Sequence, residues 1–576
     1  MNPPPVNGSK PSWRAQNAAR VAALIASLSA LVTLASALTP PWPGRLALAQ
    51  RLLDPAGQSV ARGIVLATCV GLLLLALGLA RRQRRAWRLA VGLLLVAVVF
   101  GLFKGPDEEM AFQIAVLIAF WAWRREFYAI ADPAGPRQAL QTAALSVAAI
   151  YGYGLGAIYV HATIAHAHAG FGTALLEVTG GLIGFDTQSP PTRLSADLAI
   201  TLATATTALA LVVVYLAFRS AGSGVNRDPA DRADARRMVA AAAGDTVAYF
   251  ALRRDKAYFF NTRRSAMLSY RAVNGIALVS CDPLGDPADF DELLGEFVYH
   301  CRVNSWRVVA MGVAEHNIDL WRRIGLRTLY IGDEAIVHPA RFSLEGRAIR
   351  KVRQSVHRLE RAGFSTRPVR ARDLSPDEWR HIDEVSEQWR GGRPERGFSM
   401  TMDDMADPEH GDAWFMLGHD GSGRIAGFAH FVPVPVTGDL SLSTPRRRPD
   451  TPNGFMEYLM VETFAWAEAQ GIERVSLNFA AFGELLRSEE DLRASLRLAR
   501  FTVRYFDRHI QMERLHEFNR KFHPQWLPRH LAYERLADIP AAALVMLSME
   551  GLVGWPPPLD RIWLWLLSQP AATAHD

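Results

Sequence analysis

Apolar residues run in long uncharged stretches through positions 1–220 and in short alternating stretches afterwards, so the pattern divides the chain into a membrane part and a soluble part. Runs at 21–38, 63–80, 89–103, 111–123, 139–160 and 194–218 predict about six spanning helices, most of them near the roughly 20 residues that a bilayer requires. The first run is longer than the apolar core of a cleaved leader and ends in Thr39-Pro40-Pro41-Trp42-Pro43, so it reads as a span that stays. From about Gly244 onward, β-like runs at 246–252, 275–280 and 307–313 alternate with helical patterns at 289–304 and 317–323. A basic helical stretch, 347–361, leads into a second set with strands at 414–418, 425–432, 439–443 and 475–479 and a helix at 454–470. This is a mixed α/β pattern in two similar halves. The tail, 541–547 and 562–567 with Trp555, Trp563 and Trp565, is apolar enough either to lie at a membrane interface or to pack on its own domain. The expected boundaries are 1–220 for the membrane domain, 221–345 and 346–545 for the two α/β domains, and 546–576 for the tail.

Charge adds an orientation. Arg81, Arg82, Arg84, Arg85 and Arg88 lie between the second and third runs and Arg124 and Arg125 follow the fourth, which places these loops, and with six spans the whole soluble part, on the cytosolic side. The net charge of +6 is small for a chain of 576 residues and only hints at an anionic partner. Cys69, Cys281 and Cys301 form neither a disulfide framework nor a zinc pattern. His161, His166 and His168 lack the spacing and neighbours of a metal site, and Gly152, Gly154 and Gly156 sit inside an apolar run, where small residues serve helix packing rather than dinucleotide binding. With no Walker loop, HExxH or GxSxG, nucleotide hydrolysis, zincin chemistry and hydrolase-elbow chemistry drop out in their usual forms.

Two cationic clusters remain. On a helix over 347–361, Arg347, Arg350, Lys351 and Arg358 share a broad face that would attract phosphates. A second cluster, 518–529, interleaves Arg520, Lys521 and Arg529 with Phe518, Phe522 and Trp526. Lysine is scarce in this chain, yet Lys351 and Lys521 fall inside these clusters, where a compact point charge suits an anionic ligand.

The blocks Gly244–Leu252, Tyr270-Arg271, Ala277–Gly285, the Lys351/Arg353 helix, Gly397-Phe398-Ser399-Met400, Pro452–Glu457, Ser476–Ala480 and Asn519–Arg529, in this order and spacing, resemble the phosphatidylglycerol lysyltransferase family, the catalytic part of multiple peptide resistance factors. The sequence looks most similar to the actinobacterial branch, in which this module is fused to a lysyl-tRNA synthetase; here the expectation is that charged tRNA comes from the cell. The resemblance implies two tandem acetyltransferase-like (GNAT-like) domains and an aminoacyltransferase at the plasma membrane, working without cofactor or metal. Its partners would be aminoacyl-tRNA, lysyl-tRNA by default, phosphatidylglycerol and the bilayer, with homo-oligomerisation left open. The product would lower negative surface charge and favour resistance to cationic peptides.

Carried over by position, the resemblance nominates Glu457 as base or as holder of the donor ammonium, with Arg446 and Asn478 beside it as catalytic residues. Lys351, Arg353, Lys521, Arg529, Asp282 and Ser399 are nominated for substrate binding. Ser443 stands where the family signature has an acid, and His357 where relatives tend to carry asparagine. The chain shows no clear R/Q-x-x-G-x-G/A loop for a coenzyme A pyrophosphate. A thioester-dependent acyltransferase of the same fold and a non-catalytic lipid-binding or flippase protein are the rival readings.

Overall fold

The computed structural model describes residues 19–29, most of 75–183, scattered positions of 205–224 and, with short gaps at 225–227, 243, 393–396 and 398–399, residues 228–479 and 512–549. The chain forms two compact units, residues 1–221 with two short outlying segments, and a larger one from Gly222 onward.

In the smaller unit, helices α1 (Ala19–Ser29), α2 (Arg84–Lys104), α3 (Glu108–Ala122), α4 (Gly135–Ile164) and α5 (Phe171–Ile183) follow one another. Among the described residues one stretch, Ala139–Val160 of α4, is long and apolar enough to cross a membrane; Ala19–Ser29 and Phe112–Ala122 are shorter apolar helices. The expected runs at 63–80 and 194–218 lie largely outside the described residues. Helix α5 was not anticipated, because its 13 residues are too few to register as a span. Gly154 lies against it: a Cβ there would meet the Val178 methyls at 2.9–3.0 Å, so the glycine allows two helices to approach closely.

The larger unit is built on one sheet. After α6 (Pro229–Ala240) come β1 (Ala257–Phe260), β2 (Ala266–Val273), β3 (Ile276–Ser280), the short β4 (Leu284–Gly285), α7 (Phe290–Val303), β5 (Arg307–Ala314), α8 (Ile318–Arg323) and β6 (Arg327–Val337). The second half runs α9 (Arg350–Arg361), β7 (Ser365–Arg370), α10 (Pro376–Arg390), β8 (Trp414–His419), β9 (Ile425–Pro433), β10 (Leu440–Arg447), α11 (Phe455–Ala469), β11 (Val475–Phe479), α12 (Met512–Arg520), β12 (Gln525–Tyr533) and α13 (Ile539–Met549). Strand order is β1-β2-β3-β5-β12-β6-β11-β10-β9-β8-β7, with β4 paired to β2. Strand β12, which sequence order groups with the second half, therefore lies between β5 and β6 of the first, antiparallel to both.

Each half contains one parallel pair, β3 with β5 and β10 with β11. The second pair is registered only at Leu440–Val475 and Ser441–Ser476 before β10 bulges between Leu442 and Thr444, so the two strands diverge and open the sheet there. Side-chain alternation distributes β9 between two cores: Ala429 and Phe431 join the cluster under α9 and α11, while Phe428 packs with Ile382, Val385 and Phe415 under α10. Helix α10 begins with a reciprocal Ser375/Glu378 cap and ends at Gly391, whose φ of 57° a glycine adopts freely. Of the tail, α13 buries Ile539, Ala542, Ala543, Val545 and Met546 against the first half of the sheet, which is the packing alternative of the sequence reading; 562–567 lie outside the described residues.

One strand expectation fails. Residues 246–252 are a turn followed by a 3-10 helix at Ala248–Leu252, because the segment is buried on all sides and alternation has no solvent face to record.

Candidate functional site

Helix α11 starts at Gly454, which has φ 87°. A Cβ at this position would stand 2.5 Å from the Ser355 hydroxyl oxygen, so only glycine lets α9 dock against this turn. The Arg358 guanidinium donates to the Asn453 carbonyl from the same side. On the other side Lys521 Nζ donates to Glu457 Oε1 at 2.7 Å and lies 5.3 Å from the centre of the Phe518 ring. Glu457 belongs in the first turn electrostatically, since the helix dipole favours an anion there. Apolar packing secures the arrangement: Ile349, Val352, Val356 and Leu359 of the α9 region and Phe522 after α12 enter one core with Phe455 and Phe464. Two cationic segments far apart in sequence thus meet on the first turn of one helix. Arg347, Arg350, Lys351, Arg358, Arg361 and Arg520 remain exposed around it.

A second group lies where β10 and β11 part. Asn478 has φ 73°, and its Nδ2 donates to the carbonyls of Met400 at 2.7 Å and Leu442 at 2.9 Å. Ser443 Oγ accepts from the Met402 N–H at 3.0 Å. Asn478 and Ser443 therefore hold the 400–402 segment over the opening, and Ser399, next to it, lies outside the described residues. Farther along β10, Arg446 is buried, with Trp389 of α10 covering its guanidinium at 5.6 Å. The diagonal neighbour His430, on β9, is fully buried, and neither of its ring nitrogens has a hydrogen-bond partner among the described residues. Burial, followed by His410 and Arg446, pushes its pKa down to about 3, so the ring is neutral. A proton binds the unfolded chain first, so His430 contributes stability above its ordinary pKa that is lost as pH falls toward about 3. His430→Phe is expected to remove about 1.4 kcal/mol per pH unit from the slope of stability between pH 6 and 4, measured by thermal unfolding; an unchanged slope would refute this.

The remaining nominated residues are held by protein partners. Asp282 accepts from the Ala314 N–H at 2.9 Å and the Trp321 indole at 3.0 Å, tying the end of β3 to β5 and α8. Arg353 donates to the carbonyls of Leu344 and Gly346, closing the loop before α9. Arg529 is buried, donating through Nε to Glu334 at 2.9 Å, through Nη1 to Gly312 O at 3.2 Å and through Nη2 to Thr246 Oγ1 at 3.2 Å. The other oxygen of Glu334 accepts from Thr246 and Ser476, each at 2.5 Å. Burial would raise the Glu334 pKa, but Arg529 and the two hydroxyls hold it below the usual carboxylate range. Glu334, His430 and Trp389 were missed in the sequence; only Glu334, an acid inside the apolar strand IGDEAIV, carried a readable signal. The Cys281 thiol, pushed up to about 12 chiefly by burial, is a poor nucleophile.

Comparison with known proteins gives this geometry a family. Residues 236–533 match the family model described as phosphatidylglycerol lysyltransferase, C-terminal. A lysylphosphatidylglycerol biosynthesis bifunctional protein LysX from Mycolicibacterium gilvum is 33% identical over 504 residues, covering 84% of this chain and 45% of that protein. The LysX of Mycobacterium ulcerans is 36% identical over 314 residues, 54% of this chain and 28% of that protein. The chain thus spans about half or less of the length of these curated relatives. Among solved structures, L-PGS from Bacillus licheniformis is similar with a TM-score of 0.51 at 21% identity, over 57% of this chain and 98% of that one, a likeness of fold. With the family model matching more than half of its residues, across both halves of the sheet, the chain belongs to the phosphatidylglycerol lysyltransferase family.

Proposed function

We propose that this protein is a membrane aminoacyltransferase that moves an aminoacyl group, lysine by default, from aminoacyl-tRNA to a glycerol hydroxyl of phosphatidylglycerol at the cytosolic face of the plasma membrane. The observation that carries the reading is the convergence of both cationic segments on the first turn of α11, beside Glu457. Polyanionic RNA and an anionic lipid both call for such a surface, and a carboxylate beside it supplies a proton acceptor. The two halves, each with one parallel strand pair, are read as tandem GNAT-like domains, and residues 1–220 as a multi-pass membrane domain.

In the reaction the lipid hydroxyl attacks the ester carbonyl carbon of the donor. A new C–O bond forms, the bond to the tRNA ribose breaks, and the hydroxyl proton ends on the ribose oxygen. Glu457 takes the proton from the attacking hydroxyl, while Lys521, Arg358 and Lys351 hold phosphate groups. The Glu457–Lys521 pair must open first; its lysine is 44% exposed and its carboxylate 17%, and a pair reached by solvent is worth only about 0–1 kcal/mol, so a phosphate competing for Lys521 frees the carboxylate. Arg446 under Trp389, with Asn478 and Ser443, shapes the opening between β10 and β11 where the acyl group enters.

Lipid mass spectrometry of phosphatidylglycerol-containing membranes expressing the chain tests this. A new aminoacyl-phosphatidylglycerol is expected, and its mass names the amino acid. Its absence from cells in which the protein is inserted and charged tRNA is present would overturn the proposal.

A further inference from the structure

The smaller unit carries a second basic feature, made by two helix ends locked together. Arg82 and Gln83, which follow a helical segment ending near Ala80, pair with Ala129: Ala129 N donates to Arg82 O at 3.1 Å and Arg84 N to Ala129 O at 3.1 Å. Trp87 Nε1 donates to Phe120 O at 2.9 Å and its ring stacks on Phe127. The start of α2 and the end of α3 therefore form one platform. Arg82 reaches Glu126 at 3.5 Å and the Tyr128 hydroxyl at 3.4 Å, and Arg124 lies 4.0 Å over the Trp121 ring. Arg84 and Arg88 project from the first turns of α2, exposed and one turn apart.

The decisive feature is what continues from each group of arginines. On α2 the face bearing Arg84 and Arg88 continues through the half-buried Val91 to Leu95, which is exposed; Leu89, also exposed, lies on the adjoining face. On α3 the exposed face reads Ile114, Ile118 and Trp121, the last 64% exposed, and ends at Arg124. Each helix thus presents an apolar stripe along its body and guanidinium groups at one shared end. RNA would leave the apolar stripes uncovered. A molecule with a phosphate head and hydrocarbon tails matches both parts at once, with Trp121, Trp123 and Tyr128 at the level where amphipathic rings favour the headgroup boundary.

We propose that this platform is a binding site for anionic phospholipid, with Arg84, Arg88 and Arg124 holding the headgroup phosphate and the flanks of α2 and α3 receiving the acyl chains. The inference rests on the reading of residues 1–220 as a membrane domain and assigns that domain a substrate-gathering role, retaining phosphatidylglycerol in the leaflet where it is consumed.

The test uses the full chain in detergent, stepwise delipidated and re-exposed to phosphatidylglycerol or phosphatidylcholine, with retained lipid counted by native mass spectrometry. Phosphatidylglycerol is expected to be retained preferentially. Arg84→Gln with Arg88→Gln should weaken retention by about 25-fold, about five-fold per arginine, and Arg124→Gln by about five-fold. Replacement of the same residues by lysine should keep most of it. Glycerol phosphate, which shares the head but lacks tails, should compete poorly; effective competition would show a phosphate site without a lipid site and overturn the proposal. Equal retention of the two lipids, or unchanged retention in the folded glutamine variants, would also overturn it. Because retention is read without any transfer reaction, loss of aminoacyl transfer with retention intact would count against the proposed function and leave this site standing.

Discussion

Replacing Glu334 by alanine is expected to lower the stability of the sheet unit by about 3–5 kcal/mol, because it leaves the buried Arg529 guanidinium without its counter-charge. Glu334 lies on β6, Arg529 on β12 and Ser476 on β11, so one carboxylate joins three adjacent strands and the Thr246 turn. Two of these strands reach it from far along the chain, so the loss falls where the halves are stitched together. Thermal unfolding of the purified full chain should show the drop, and Glu334→Gln should lose less, since it keeps the shape and part of the hydrogen bonding. Glu334→Met combined with Arg529→Met should recover much of the loss, because neither charge then remains buried. A single Glu334→Ala effect below about 1 kcal/mol would mean that solvent reaches Arg529 after all. The sign of the pH dependence follows from the lowered Glu334 pKa. Its contribution is complete above the ordinary carboxylate value and disappears as pH falls through the lower folded value.

Glu457→Gln should reduce the rate of aminoacyl transfer by about 10²–10⁴-fold with little change in stability, since it removes a proton acceptor from a pair whose lysine solvent reaches. Lys521→Ala should act mainly on KM for the charged tRNA or lipid, because the lysine is assigned a phosphate rather than the proton. Initial rates with pre-charged tRNA and phosphatidylglycerol in mixed micelles separate the two effects. The exchanged pair, Glu457→Lys with Lys521→Glu, keeps an ion pair between α11 and the segment after α12 while displacing the base. If the pair were only structural, the exchanged variant would remain active; full activity there, or in Glu457→Gln, would remove Glu457 from the chemistry.

Several elements of the second half are legible because each has a strong local cause, whereas β7, α10, α12 and β12 are not among the sequence-predicted elements. The strand at Ile425–Pro433, the helix at Phe455–Ala469 and the basic amphipathic helix at Arg350–Arg361 lie close to their sequence-predicted positions. Periodicity depends on the nearest turn or pleat, and these segments have a clear buried side. The buried segment at 246–252 lacks that asymmetry and was misread as a strand. Lys521 and Glu457 were singled out from residue type and resemblance, but nothing in their sequence separation told that they touch.

Arg529 is the sharpest case. Within Asn519–Arg529 it reads as one more surface cation, yet it faces inward from a strand inserted between β5 and β6, and its partner Glu334 lies on β6. Sequence by itself determined the division into an apolar first part and an α/β second part, about half of the strands, several of the helices and the two cationic segments, since these depend on residue type and short-range spacing. Only the tertiary structure decided that β12 crosses back into the first half, that Glu334 neutralises Arg529, and that both cationic segments meet at Gly454 and Glu457. Those outcomes depend on long-range strand pairing and shared burial, which bring together residues whose separation along the chain carries no information about their distance in space.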